Sequence, residues 1–279
     1  MPEKTYCLAG VMGWPVAHSR SPLIHNYWLQ KHGLAGSYVQ LAVQPGQLET
    51  ALSGLSALGF KGCNVTIPHK VKALKLVHEL DANAKRVGAV NTVVVQPDGS
   101  LKGMNTDGFG YIQSLLDAQP DWRADAGPAV VLGAGGAARA VVLALSDRGA
   151  KEILLINRTP DKAEAMAAEF GAPVKALPWD QRHAALGGAV LLVNTTSQGM
   201  HGNPPLDIDL SVLPTHALVS DIIYAPLETP LLLAAKARGN PTAGGLGMLL
   251  NQARPAFEAW FGVLPEVTPE LRRLVEATL

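Results

Sequence analysis

The chain has 279 residues, with Lys and Arg (23) balanced by Asp and Glu (23), so its formal net charge is zero. That balance excludes binding of nucleic acid or an anionic membrane by bulk electrostatics, though not a local phosphate site. Hydrophobic residues at 48% against charged ones at 16% exclude a disordered chain. The length allows one large domain or two medium ones. Two cysteines, Cys7 and Cys63, make neither a disulfide framework nor a metal cluster and read as reduced, buried thiols. The start, Met-Pro-Glu-Lys, lacks the pattern of a signal peptide. An uncharged apolar run over residues 126–138 is too short for a bilayer and is broken by glycines. A cytoplasmic protein is the expectation.

Short β-branched runs alternate with helical patterns. Strands are expected at 6–12, 37–43, 62–66, 92–95, 129–133, 153–157, 189–194 and 218–221. Ser21 before Pro22 reads as the N-cap of a helix that Gly33 closes. Thr159-Pro160 and Thr229-Pro230 repeat the device, with Gly171 and Gly239 as stops. Such alternation implies α/β architecture with parallel sheets and right-handed crossovers. A hinge is placed near 107–127, whose second half is rich in Asp, Pro and Gly. Helices follow at 245–260 and 268–277.

Gly133-Ala134-Gly135-Gly136-Ala137-Ala138 follows a strand and opens a helix. Gly133 permits the tight turn, Gly135 lets backbone approach a diphosphate, and Ala138 is small where helix meets strand. Free N–H groups and the helix dipole favour an anion there. At the end of the next strand, where an NAD site has an acid, the chain has Asn157-Arg158-Thr159. Arg158 can pair with a 2′-phosphate and stack on adenine, while Asn157 and Thr159 can donate to the same group, so NADP is the expected cofactor. The plainer alternative is an exposed arginine beside a helix cap.

The first half carries polar residues where a plain core would not put them. Ser19-Arg20-Ser21-Pro22 can hold a small carboxylate at a helix start, or Ser21 can simply cap. Asn64 and Thr66 are alternate residues of one strand and share a face. Pro68 ends that strand and Lys70 begins the next helix; Asn91-Thr92 and Asn105-Thr106-Asp107-Gly108 follow. Carbonyl reduction needs a proton donor at the oxygen that gains charge. Lys70, positioned by a carboxylate such as Asp107, can serve; a surface ion pair is the alternative. The eight histidines form no metal spacing, and no metal is expected.

Together, Ser-Arg-Ser-Pro at 19–22, Asn-Val-Thr-Ile-Pro-His-Lys at 64–70, Gly-Ala-Val-Asn-Thr at 88–92, Asn-Thr-Asp-Gly at 105–108, Gly-Ala-Gly-Gly-Ala at 133–137, Asn-Arg-Thr at 157–159, Asn-Thr-Thr at 194–196 and Gly-x-Gly-Met-Leu-x-x-Gln at 245–252 resemble the NADP-dependent shikimate dehydrogenase family, in its order. The resemblance implies two α/β domains separated by a cleft. Residues 1–106 and 245–279 would form the catalytic, substrate-binding domain, and 107–244 a Rossmann-type NADP-binding domain. It implies reversible NADPH-dependent reduction of 3-dehydroshikimate to shikimate, on the route to chorismate and the aromatic amino acids. By that likeness Ser19 and Ser21 match carboxylate-binding serines. Asn64, Thr66, Asn91 and Gln252 match contacts to ring hydroxyls, and Lys70 and Asp107 the catalytic pair that also touches substrate. Gly133, Ala134, Gly135, Gly136, Ala137, Asn157, Arg158, Thr159, Asn194, Thr195, Gly245 and Met248 match the cofactor side, and Tyr224 the nicotinamide end, where it also meets substrate.

The nearest alternative is a quinate/shikimate dehydrogenase with relaxed substrate and cofactor use. Such relatives tend to carry an acid beside the arginine, whereas Thr159 and Pro160 stand here and Asp161 comes only after them. A methylene-tetrahydrofolate dehydrogenase is disfavoured by Asn-Thr-Asp-Gly and Ser-Arg-Ser-Pro. A non-catalytic NADP sensor would not need Lys70 with Asp107. The expected partner is a small molecule, shikimate or 3-dehydroshikimate, with no nucleic acid and no membrane; a homodimer is compatible with the sequence.

Overall fold

A computed structural model describes residues 6–279, so the signal-peptide reading of the first four residues lies outside the described part. The chain forms two units. One runs up to Thr106 and resumes over Gln252–Thr278; the other spans Asp107–Asn251.

In the first unit the chain order is β1 (Cys7–Gly13), α1 (Ser21–Lys31), β2 (Gly36–Ala42), α2 (Leu48–Ala57), β3 (Phe60–Val65), α3 (Lys70–Ala73), β4 (Glu79–Leu80), α4 (Ala82–Val87), β5 (Thr92–Val95) and β6 (Leu101–Met104). The six strands lie in the order β2-β1-β3-β5-β6-β4. The sheet is not parallel throughout, as alternation alone implied: β5 runs antiparallel to β3 and to β6. The cause is the short β5–β6 link, where Gln96 N–H donates to the Ser100 carbonyl at 2.8 Å and Gly99 takes φ +83°, a tight hairpin that only antiparallel strands accept. Successive residues of β1 feed different cores. Met12 joins Leu48, Leu52, Leu55, Val65 and Val93, while Ala9 and Val11 join Tyr38, Ala256 and Trp260.

The second unit begins with α5 (Asp107–Ala118), so the first half of the expected hinge is helix. It continues with β7 (Ala129–Leu132), α6 (Gly136–Asp147), β8 (Ile153–Ile156), α7 (Pro160–Phe170), β9 (Val174–Leu177), β10 (Leu191–Asn194), β11 (Leu218–Asp221), α8 (Pro230–Ala237) and β12 (Thr242–Ala243). The sheet order is β12-β11-β10-β7-β8-β9, parallel throughout. Its central strands are apolar almost end to end, as strands covered on both faces must be. Val131, Leu155, Val193 and Leu218 lie in one core with α5 and α6, and Val130, Leu132, Leu192 and Val219 in another with α8.

Two helices close the chain, α9 (Gly245–Phe261) and α10 (Pro269–Glu276). The unit boundary falls within α9, seven residues later than the sequence placed it, because its first two turns have partners in the second unit. A Cβ on Gly247 would stand 2.9 Å from that of Ser114, and Met248 packs on the core of α5 and α6. Further on, Trp260 packs beside Tyr38 and donates Nε1–H to the Val93 carbonyl at 3.0 Å. Cys63 is buried, whereas Cys7 is half-buried. Among the described residues no helix is long and apolar enough to cross a membrane.

Candidate active site

Ser21 is the first residue of α1 and not its cap. Arg20 takes the cap position, and the Ser21 N–H meets the Ser19 side chain at 3.3 Å. Arg20 in turn reaches the His18 carbonyl at 3.2 Å and the Thr278 carbonyl. Ser19, on the loop that Arg20 ties down, and Ser21, in the first turn of α1, thus stand at a helix start whose early N–H groups have no partner within the helix.

Asn64, near the end of β3, is buried at the centre of a polar cluster. Its Oδ1 accepts from the Tyr38 hydroxyl at 2.6 Å, and its Nδ2 donates to the Asn91 carbonyl and to Thr92 Oγ1, both at 3.1 Å. Asn91 Nδ2 donates to Thr106 Oγ1 at 3.0 Å and stands 3.5 Å from Gln252 Oε1. The structure therefore brings Asn64, Asn91 and Gln252 together. Thr66 follows β3 and is half-buried, with its N–H on the Met12 carbonyl. It is seated by a glycine: a Cβ on Gly13 would lie 2.5 Å from Thr66 Cγ2. Lys70 opens α3, and its carbonyl receives the Val90 N–H at 2.9 Å, fixing the helix start against the loop before Asn91. The preceding His69 is buried and bonds the Val43 carbonyl through Nε2 at 2.7 Å.

Beneath this cluster lies an aromatic stack that the sequence did not announce. His25 is fully buried, its ring parallel to Tyr38 at 4.1 Å and surrounded by Trp28, Phe257 and Trp260. Burial lowers its imidazole from 6.5 to about 3, so the ring is neutral. Burial likewise raises the Tyr38 phenol well above its ordinary value, against a smaller opposing pull from Ser21.

In the second unit, Asp107 is the buried first residue of α5, where a carboxylate suits the helix dipole. The β7–α6 turn matches its glycine reading. Gly133 adopts φ +105°, and a Cβ there would stand 2.5 Å from Thr195 Oγ1. At Gly135 and Gly136 a Cβ would meet nothing within 4 Å, so the space above the turn is open to an incoming group. Ala134 donates its N–H to Asn157 Oδ1 at 3.2 Å, while Asn157 Nδ2 donates to the Thr159 carbonyl, so this amide braces two loops. Ala137 is half-buried in the first turn of α6, and Arg158 is exposed. An open turn, a helix start and an exposed guanidinium fit a dinucleotide carrying an extra phosphate.

Asn194 ends β10 and Thr195 follows it. Thr195 Oγ1 bonds the Leu132 carbonyl at 2.7 Å. Asn194 Nδ2 donates to the buried carboxylate of Asp221, which also accepts from Thr229 Oγ1 at 2.7 Å and the Ile223 N–H at 3.1 Å. Burial raises the Asp221 pKa from its ordinary value, against these opposing hydrogen bonds. Asp221 thereby joins the Asn194 loop to the segment carrying Tyr224. Gly245 donates its N–H to the Ile223 carbonyl, and a Cβ on it would collide with the Ile222 carbonyl at 2.1 Å. Met248, one turn later, is half-buried.

Family models match three stretches: a shikimate dehydrogenase substrate binding domain over residues 11–93, a shikimate/quinate 5-dehydrogenase domain over 120–201, and a shikimate 5′-dehydrogenase C-terminal domain over 245–269. The chain is 57% identical, over 272 residues and 96% of both chains, to a protein of Rhodospirillum rubrum named shikimate dehydrogenase (NADP(+)). Among solved structures it resembles shikimate 5-dehydrogenase from Thermus thermophilus, in complex with NADP(H) and shikimate, at TM-score 0.87 and 38% identity, covering 98% of this chain and 100% of that one. It also resembles a quinate dehydrogenase from Corynebacterium glutamicum, in complex with NAD, at TM-score 0.91 and 30% identity with the same coverage.

Proposed function

Because this chain belongs to the shikimate dehydrogenase family, we propose that it catalyses the reversible reduction of 3-dehydroshikimate to shikimate with NADPH, the step that leads toward chorismate. The observation that carries the reading is an identity above one half to a relative of that name, running through both units. The reading assigns the substrate to the unit of β1–β6 with the C-terminal helices, and NADP to the unit of β7–β12.

Ser19 and Ser21 then hold the substrate carboxylate at the start of α1. Asn64, Thr66, Asn91 and Gln252 meet the ring hydroxyls from the end of the first sheet, and Tyr224 is a further contact. Lys70 and Asp107 form the proton-transfer pair: Lys70 gives a proton to the oxygen that gains charge, or stabilises it electrostatically, and Asp107 holds Lys70 in place and hydrogen-bonds the neighbouring hydroxyl. NADPH supplies the hydride when bound. The turn Gly133–Ala137 would hold its diphosphate, with Asn194, Thr195, Gly245 and Met248 along the rest of the molecule. Arg158, with Asn157 and Thr159, would take the 2′-phosphate.

The test mixes purified protein with shikimate and NADP⁺ and follows NADPH by absorbance. Efficient turnover is expected; none with shikimate would overturn the reading. Quinate and NAD⁺ are run alongside, since the quinate dehydrogenase superposes well. Comparable rates with those two would assign the chain to the relaxed branch. Selectivity for NADP⁺ is expected because Thr159 and Pro160, not an acid, follow Arg158.

A further inference from the structure

We propose that Tyr38, Thr92 and Thr106 are positioning residues, which fix the amides of Asn64 and Asn91 in the one orientation that presents them to substrate. The inference rests on the reading of those two asparagines as substrate contacts.

The hydrogen bonds run in one direction. Tyr38 Oη donates to Asn64 Oδ1 (2.6 Å), Asn64 Nδ2 to Thr92 Oγ1 (3.1 Å), and Thr92 Oγ1 to Asn91 Oδ1 (3.0 Å). Asn91 Nδ2 donates to Thr106 Oγ1 (3.0 Å), and Thr106 Oγ1 to the Gln252 carbonyl (2.8 Å). Every donor in this series points the same way. Asn64, Asn91, Thr92 and Thr106 are all buried. An asparagine amide could in principle be turned over, exchanging its oxygen and nitrogen. Here main-chain groups forbid it. The Gln252 carbonyl can only accept, so the Thr106 hydroxyl must donate to it. The Thr106 N–H can only donate, and it faces Asn91 Oδ1 at 3.0 Å. The Asn91 carbonyl can only accept, and it faces Asn64 Nδ2 at 3.1 Å. Asn64 Oδ1 is therefore left toward Tyr38, whose hydroxyl must be a donor.

The consequence is chemical. Both hydrogens of Asn64 Nδ2 are engaged inside the protein, so what Asn64 can offer a ligand is the remaining lone pair of Oδ1. It is an acceptor for a ligand hydroxyl and not a donor to a carbonyl or carboxylate. Tyr38 is itself firmly held. Asn26 accepts its N–H and donates to its carbonyl, each at 2.9 Å, and its ring lies on His25. Main-chain groups set the direction of the series, and a rigid phenol at its head holds Asn64 Oδ1 in place.

The experiment uses the full-length enzyme and compares Tyr38→Phe, Thr92→Val, Thr92→Ser and Asn64→Ala. Measured are kcat, the KM values for shikimate and NADP⁺, shikimate binding by calorimetry, and thermal melting. Tyr38→Phe and Thr92→Val are each expected to raise the KM for shikimate roughly threefold to tenfold, the worth of one buried hydrogen bond. The KM for NADP⁺ should stay put. Thr92→Ser, which keeps the hydroxyl, should restore the value. The double variant Tyr38→Phe/Thr92→Val should fall short of the sum, as members of one network do. If Asn64→Ala weakens shikimate and Tyr38→Phe does not, positioning is overturned while the substrate reading stands. If Asn64→Ala leaves shikimate binding unchanged, the reading of that amide fails and the proposal with it. Should Thr92→Val not fold, Tyr38→Phe decides, since it removes one oxygen and keeps the stacked ring.

Discussion

Replacing His25 with Phe should flatten the acid side of the protein's stability profile. His25 is fully buried, between Tyr38 at 4.1 Å and the rings of Trp28, Phe257 and Trp260. Its pKa is lowered to about 3 from 6.5 by burial. The sign follows from which state binds the proton. Below the unfolded value the unfolded chain takes up a proton that the folded chain refuses. Stability is therefore full above 6.5 and is lost as pH falls from there toward about 3. The slope approaches about 1.36 kcal/mol per pH unit, so about 2 kcal/mol is lost by about pH 5. Phe at this position carries no titrating group and keeps an aromatic ring in the stack. Urea unfolding of both proteins at about pH 7.5, 6 and 5 reads the difference. Asp221 and Asp81, whose carboxyl pKa values burial raises, are present in both proteins, so their contributions cancel in the comparison. The absolute stability of the variant can shift with packing, but its dependence on pH should be shallower by about 2 kcal/mol over the range. Parallel profiles would refute the reasoning, because they would mean that His25 is protonated equally in the folded and unfolded chains.

Lys70→Ala is expected to lower turnover by roughly 10²–10⁴, with a much smaller change in shikimate KM; full turnover would remove Lys70 from the mechanism. Arg158→Ala should raise the KM for NADP⁺ and leave that for NAD⁺ unchanged, and equal KM values for NADP⁺ before and after would refute the phosphate assignment. Gly133→Ala should cost about 1–3 kcal/mol in thermal or urea unfolding, since φ is +105° and the new Cβ would meet Thr195 Oγ1 at 2.5 Å. Gly135→Ala, whose Cβ would meet nothing within 4 Å, should unfold like the parent.

Legibility in the sequence followed physical range. Strands of four or more β-branched or apolar residues, such as Ala129–Leu132 and Ile153–Ile156, were readable because burial on both faces demands such a run. Glu79–Leu80 and Thr242–Ala243 were not, since two residues carry no period. Leu101–Met104 hides behind a lysine and a glycine, yet its hairpin with β5 helps make the first sheet mixed. The helix cap at Ser21 failed for a local reason: Ser19, two residues earlier, takes the Ser21 N–H and shifts the cap to Arg20. The glycine turn was legible because its chemistry is written in consecutive residues. Tyr38 and Asp221 were passed over, and Thr92 and Thr106 were named only as members of their motifs, because their roles depend on partners brought up by the fold. Tyr38 and Asn64 meet only through the pairing of β1 with both β2 and β3.

Three asparagines solve one problem in both units. A parallel strand that ends in a functional loop leaves main-chain groups that the ladder no longer pairs, and buried ones must find partners. A side-chain amide offers one acceptor and two donors in a plane, enough to join two loops at once. Asn64 ties β3 to the loop of Asn91; Asn157 ties the Ala134 turn to Thr159; Asn194 ties its own Thr196 N–H and the Gln198 carbonyl to Asp221. In each case at least one partner is a main-chain group, so the amide cannot turn over. The loops are thereby held in one conformation by hydrogen bonds and not by apolar packing. At the glycine turn the adjoining space stays open, since a Cβ on Gly135 or Gly136 would meet nothing within 4 Å. Substituting any of the three by Leu, of similar size, would keep the volume and strand the partners. At Asn64 the substitution should therefore cost more than its lost bonds in urea unfolding, because the buried Asn91 carbonyl left unpaired adds roughly 1–3 kcal/mol, whereas at Asn157 water can reach the exposed Thr159 carbonyl and the cost should be smaller.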